Sequence, residues 1–426
     1  MKSTKSLKSR LPAGIVDASF ASLATFAIGL AAVNLLEDAE RGVYAVFFTT
    51  FLMGTVLARN LVLTPAEVEA VAFPLEERIP LIARTLTLGL GPAFIGAAAA
   101  LLAALVAAPL TEASVIVPFT LTTAVASILS PLQDHVRRML HIGSKSWLAA
   151  SVSIVQFVTT VTGILVMTWR DVDLPWIPFG SLAIANLVSL SFGWLLTRRS
   201  HQRSTGRDQL RFVDLARRGR WLVLQAAAPS VAGFVAAAII TRLASPEALG
   251  FAEAARVVSQ PILVLATGLG AVLNPRAVEA AMNRGTALAR QTNRIYLLVT
   301  ASAGASYLAI AGWDWALNPM PHIVPSAYEV GGLVALSIVA NLATASVFLQ
   351  FNELMGAKRE KTLTTISWAI SPIMLIASLT AGVTDAFARP IGRLGQGLAR
   401  FTLQRRVLKA HYAGADQPGV ADGPIG

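Results

Sequence analysis

The sequence predicts an all-α polytopic membrane protein: about twelve transmembrane helices in two six-helix lobes related by parallel pseudo-symmetry. Three observations predict it. Of the 426 residues, 54% are hydrophobic and only 14% charged, against about a quarter charged in a soluble domain, and mean hydropathy is +0.61. Apolar runs of about twenty residues recur from one end to the other, each long enough to cross a bilayer. Near the midpoint, Arg198 to Arg220 holds eight arginines against two aspartates. Basic loops resist translocation and are drawn to anionic lipid, so this stretch marks a cytoplasmic loop between two halves that each start and end inside.

Length and flanking charge then place the elements in order. Residues 1–10 form a cytoplasmic tail. The apolar part that follows runs on to about Leu36, too long for a cleaved signal, so it is an uncleaved first span from Leu11. A short external EDAER turn leads to a second span, Gly42 to Leu63, and an acidic internal loop, TPAEVEAVAFPLEERIP, follows. Spans three and four cover Leu81 to Ala108 and Ser114 to Val136. Spans five and six cover Ser146 to Trp169 and Trp176 to Thr197. The first lobe is thus 11–197, and the basic loop 198–220 leads to a second lobe at 221–404. Its spans run Trp221 to Leu243, Gly250 to Leu273, Ile295 to Ala311, Gly331 to Phe351 and Thr362 to Val383. A twelfth segment, Ala386 to Leu403, is less apolar. Residues 405–426 are a cytoplasmic tail whose last part, AGADQPGVADGPIG, reads as disordered. Tryptophans sit where interface anchors belong: Trp147 and Trp169 bracket span five, and Trp176 and Trp194 bracket span six. The halves also repeat. PAEVEA (Pro65 to Ala70) ends span two and PRAVEA (Pro275 to Ala280) ends span eight, while Leu132-Gln133 and Leu349-Gln350 end spans four and ten. Parallel repeats of this kind enclose a cavity between the halves.

The composition excludes several classes. Cysteine is absent, so there is no disulfide framework and no thiolate metal site. There is no Walker A loop and no HExxH. His135 and His141 do not have a zinc spacing, and no metal or cofactor is expected. The net charge of +11 comes from cytoplasmic loops and implies no nucleic-acid partner. No external loop can hold a catalytic domain; the largest is Trp313 to Val330. The chain reads as a carrier, not an enzyme.

Ionisable groups inside spans are costly in lipid and usually face a cavity or each other. Asp17 lies about six residues into span one and Arg59 about four residues before the end of span two. Their matched depth predicts an ion pair across adjacent antiparallel helices. In span eight, Glu253, Arg256 and Gln260 follow at i, i+3 and i+7, one polar stripe on an apolar helix. These five are the candidate substrate-binding residues. Arg84 reads as snorkelling to the interface. Asp134, Arg137 and Arg138 read as a solvated loop face at the inner end of span four. In the last segment Arg389, Arg393, Gln396 and Arg400 fall within about 60° on a helical wheel. That stripe faces water or protein in a spanning helix, or anionic lipid in an interfacial one. Asp134, Arg138 and Arg393 are secondary candidates.

The opening, VDASFASLATFAIGLAAVNLLEDAERGVYAVFFTTFLMGTVLARNLVLTPAEV, together with SPLQDHVRRMLHIGSKSWLAAS and SPEALGFAEAARVVSQPILVLATGLGAVLNPRA, resembles bacterial polysaccharide flippases. These are the O-antigen and teichoic-acid exporters of the multidrug/oligosaccharidyl-lipid/polysaccharide (MOP) superfamily, and the likeness covers nearly the whole chain. It implies a two-lobed MATE/MOP-like fold with a central cationic cavity, in the plasma (inner) membrane with both termini cytoplasmic. It implies export of a polyprenyl-diphosphate-linked glycan, with membrane lipids and glycan-assembly enzymes as partners. Arg59 and Arg256 match positions where such proteins place cavity arginines. The weakly hydrophobic final span departs from the pattern. Competing readings are a drug/cation antiporter of the same fold, which would want unpaired carboxylates in its cavity, and a non-transporting scaffold for glycan assembly.

Overall fold

In the computed structural model, residues 3–36, 38–108, 112–201 and 210–413 are described. They are almost entirely helical, and the chain divides into two compact units, Met1–Val223 and Leu224–Gly426. Residues 202–209 of the central basic loop and 414–426 of the tail lie outside the described residues, as does Glu37 of the first turn. Among the described residues, eleven helical segments are long and apolar enough to cross a membrane.

The first unit contains α1 (Ser3–Leu35), α2 (Asp38–Ala58), α3 (Thr64–Ala70), α4 (Leu75–Ala107), α5 (Ala113–Ile142), α6 (Ser146–Trp169) and α7 (Ile177–His201). Between α2 and α3 the chain widens into a π-helical turn, Arg59–Leu63. Pro65 has no N–H to offer the Leu61 carbonyl four residues back, which removes the bond that would hold a regular helix there. The start of α8 (Phe212–Leu243) packs on this turn. Leu215 is buried with Val62, Leu63 and Ala66, and a Cβ on Gly219 would run into the Leu61 carbonyl. Both α7 and α8 therefore reach into the segment that the sequence assigns to the basic loop.

Within this unit α1 packs on α6, α4 on α2 and α5, and α5 on α7. An aromatic cluster fills the middle: Tyr44 lies 5.3 Å from Phe179 and Phe47 lies 5.6 Å from Phe119 between ring centroids. Where α2 crosses α4, Gly54 and Gly96 meet face to face, and a Cβ on either would collide with the other's carbonyl. Outside, Phe94, Leu102 and Leu105 are exposed, a pattern that suits lipid and not water.

The second unit contains the rest of α8, then α9 (Pro246–Met282), α10 (Thr286–Ala311), a one-turn α11 (Met320–Ile323), α12 (Leu333–Ser346), α13 (Phe348–Gly356), α14 (Glu360–Leu379), a one-turn α15 (Ala381–Thr384) and α16 (Ala388–Ala413). Ser245 caps α9 by accepting from the Ala248 N–H at 3.1 Å. Helix α9 packs on α10, α12 and α13.

The twelfth segment is not among these eleven, and its packing sets its place. Helix α16 is continuous over 26 residues, about 39 Å, and lies along α12 and α14. Gly392 meets Met374, Gly397 meets Ala343, and Gln396 donates to the carbonyls of Ile370 and Ser371 at 3.4 and 3.5 Å. Helix α16 thus runs antiparallel to α14, itself apolar enough to cross a membrane. The arginine stripe of α16 turns toward protein, which is why its low hydropathy is compatible with its place. The helix also continues to Ala413, into the segment that the sequence assigns to the tail.

Candidate functional site

Each unit holds one charged cluster. In the first unit Asp17 is 2% exposed. Its carboxylate accepts from the Ser153 hydroxyl at 2.6 Å and from Arg137 Nη1 at 3.3 Å, and lies 2.9 Å from His141 Nε2. Arg137 also pairs with Asp134. Arg138 donates to Asp134 at 2.9 Å and to Glu67 of α3 at 3.4 Å. Glu67 meets His135 Nδ1 at 2.8 Å, and Thr85 of α4 lies 3.0 Å from the other nitrogen of that ring. Arg59 reaches Asp134 at 3.8 Å with 43% of its side chain exposed. Three carboxylates (Asp17, Glu67, Asp134) thus meet three arginines (Arg59, Arg137, Arg138), and the charges cancel.

Two expectations are corrected here. Asp17 does not pair with Arg59, because α1 packs on α6 and scarcely touches α2; sequential helices at equal depth need not be neighbours. Asp134, Arg137 and Arg138 are not a solvated loop face. Helix α5 continues to Ile142, and their side chains are only 13–23% exposed.

In the second unit the α9 stripe forms as expected. Arg256 Nε bonds Glu253 at 2.5 Å, and Arg256 Nη1 donates to Gln260 at 3.2 Å. Arg389 of α16 also pairs with Glu253. A cleft beside this pair is lined by Arg256, Ser259, Asn341, Arg389 and Arg393. Asn341 is fixed by donating to the Ser259 hydroxyl at 2.8 Å. Three guanidinium groups share one carboxylate, and Arg393 forms no ion pair among the described residues. Gln260 is exposed. The guanidinium groups here outnumber the carboxylate, whereas those of the first unit's network are matched by carboxylates.

Sequence reasoning missed Glu67, His135 and His141 as members of the first cluster, Arg389 as the second partner of Glu253, and Glu353 of α13. Glu353 is 1% exposed and bonds Asn293 of α10 and Tyr412 of α16. Its sequence signal was the extension of α13 past Phe351. Among the described residues no group of three or more His, Cys, Asp or Glu is placed to hold a metal ion.

No protein-family model and no curated relative matches the sequence. Solved structures do. A MATE transporter in its bent conformation superposes over 97% of both chains with a TM-score of 0.73 at 12% identity. A variant MATE transporter of Vibrio cholerae superposes over 96% of this chain and 98% of its own, with a TM-score of 0.71 at 14% identity. A MOP-superfamily transporter of Pyrococcus furiosus, whose binding pocket is described as reversed in polarity and as suggesting a different function, superposes over 96% of each chain with a TM-score of 0.68 at 12% identity. The chain therefore has the fold of the MATE transporters of the MOP superfamily.

Proposed function

We propose that the chain is a multi-pass transporter of the plasma membrane that moves a polyprenyl-diphosphate-linked glycan, or another anionic cell-surface polysaccharide precursor, by alternating access. The observation that carries this reading is the arginine surplus of the second unit's cleft. A diphosphate needs fixed positive charge, and the planar guanidinium suits it by bidentate bonding. Arg256 and Arg393 take the headgroup, Glu253 and Arg389 hold Arg256 in place, and Gln260 borders the cleft. Arg59, the most exposed arginine of the first cluster, is the first unit's contact with substrate. Asp17, Asp134 and Arg138 hold the helices that present it. Both termini and the basic loop are cytoplasmic, and the partners are membrane lipids and glycan-assembly enzymes. A cation antiporter of the same fold would want an unpaired carboxylate in its cavity; at the second unit's cleft the carboxylate present, Glu253, faces two arginines, which disfavours cation binding there.

The test is transfer of a fluorescent polyprenyl-diphosphate oligosaccharide across reconstituted vesicles, measured per folded molecule. Charge-assisted hydrogen bonds are worth roughly 1.5–3 kcal/mol, so Arg393→Ala and Arg256→Ala should each lose about tenfold or more. Arg256→Lys, which keeps the charge and loses the fork, should fall between. Wild-type vesicles that accumulate organic cations and transfer no glycan lipid would overturn the reading in favour of an antiporter. Vesicles that move neither would leave a scaffold.

A further inference from the structure

Glu353 stands apart from the carboxylates of the two clusters. It lies on the last turn but one of α13 and is 1% exposed. The Asn293 amide donates to Oε1 and the Tyr412 hydroxyl donates to Oε2, the latter at 3.3 Å. Both partners are neutral. Among the described residues Glu353 forms no ion pair, whereas Asp17, Glu67, Asp134 and Glu253 each face an arginine. The elements packed against α13 are α9, α10, α12, α14 and α16. Their nearby charged groups are Arg276 and Glu279 of α9, Arg290 and Arg294 of α10, Glu360 and Lys361 of α14, and Arg405, Arg406 and Lys409 of α16; α12 has none. None of these bonds Glu353. His411 of α16 turns instead to the Ala281 carbonyl at 2.9 Å.

A buried carboxylate without counter-charge is costly, and it escapes the cost by taking a proton. The surroundings of Glu353 serve either form. The Asn293 amide donates to both, and the Tyr412 hydroxyl can donate to the ionised group or turn to accept from the protonated one. Tyr412 sits one residue from the end of α16, and the turn after α13 carries exposed Lys358 and Arg359.

We propose that Glu353 is a proton-binding site of the second unit. It holds a proton while Asn293 and Tyr412 enclose it, and releases it when the end of α16 that carries Tyr412 moves off. On release the carboxyl O–H bond breaks, the electron pair stays on the oxygen, and the proton passes to water at the end marked by Lys358 and Arg359. This goes beyond the transport reading and does not depend on which substrate is moved.

The experiment is thermal unfolding of the purified full chain across a pH series. A carboxyl that binds its proton more tightly in the folded than in the unfolded chain stabilises at low pH and loses that stability as pH rises. Gln stands in for the protonated carboxyl, so wild type should match Glu353→Gln at low pH and fall progressively below it in Tm as pH rises. Tyr412→Phe removes a donor to the ionised form, so the wild-type transition should move to higher pH; a merely structural Tyr412 would lower Tm without moving it. If Glu353→Gln does not fold, the direction of the Tyr412→Phe shift decides. A pH-independent difference, or an unmoved transition in Tyr412→Phe, overturns the proposal. Stabilisation of wild type by sodium over potassium at high pH, absent in Glu353→Gln, would make it a metal-cation site and overturn it too. Inactivity toward a glycan lipid would bear on the transport reading and leave this result intact.

Discussion

The two units use arginine in opposite ways. The first cluster sets Arg59, Arg137 and Arg138 against Asp17, Glu67 and Asp134 and closes on itself with histidines, a serine and a threonine. The second sets Arg256, Arg389 and Arg393 against Glu253 alone, and opens on a cleft. The clusters also lie at different places on their helices. Arg59 comes 21 residues after the start of α2 at Asp38, while Arg256 comes ten residues after the start of α9 at Pro246. Arg59 lies six residues before Pro65 and Arg256 nineteen before Pro275, so the two clusters do not sit at equal distances from the prolines that the sequence pairs. A balanced buried network gains little from further charge and loses much when one member goes. A surplus behaves the other way. That difference separates a structural use of charge from a functional one.

The largest effect should come from unbalancing the first unit. Removing one partner of a buried pair typically costs about 3–5 kcal/mol, because the other charge stays buried. Asp17→Ala should lose stability in that range, read as folded yield and unfolding midpoint. The Asp17→Ala/Arg137→Ala double variant should lose less than the sum of the two single losses. Additive losses would break the comparison by making the network a set of independent contacts. The second unit should respond differently. Arg256 and Glu253 side chains are 34% and 40% exposed, so their pair is screened and worth about 1 kcal/mol or less. Arg256→Ala leaves Glu253 with Arg389, and Arg393→Ala removes a charge that has no carboxylate of its own. Both should keep stability near wild type while losing transfer.

Orientation sharpens the same comparison. The chain has no cysteine, so Ser204→Cys in the basic loop places a single thiol. It should resist an impermeant reagent added outside intact cells. Labelling from outside would invert the topology, and with it the side on which each cluster lies.

The architecture was legible because apolar length and loop charge are strong signals. The first cluster was misread for one physical reason. The sequence reading ends these spans at Val136 and Phe351, but α5 and α13 go on to Ile142 and Gly356. Charges that look like loop are then inside a helix bundle, satisfied by partners on distant helices. Asp17 with Arg137 spans 120 residues and Glu67 with His135 spans 68, and no local pattern announces either. Glu253, Arg256 and Gln260 were found because their partners lie within one helix. Arg389 was visible as part of a stripe, but not that it pairs with Glu253 of α9.

The smallest effect should be that of Gln260→Ala. Gln260 is exposed, and its one hydrogen bond is from Arg256 at 3.2 Å. A solvent-exposed bond of this kind exchanges readily with water, so the loss in stability should stay within about 0.5 kcal/mol. Arg256 keeps its contact with Glu253, so the guanidinium stays where the substrate would find it. Transfer per folded molecule should then fall by no more than about twofold, well short of Arg256→Ala. Gln260 carries no charge, and charge surplus is what distinguishes this unit from the other. A loss as large as that of Arg256→Ala would mean that shape along the α9 stripe, and not its excess of cations, selects what enters the cleft.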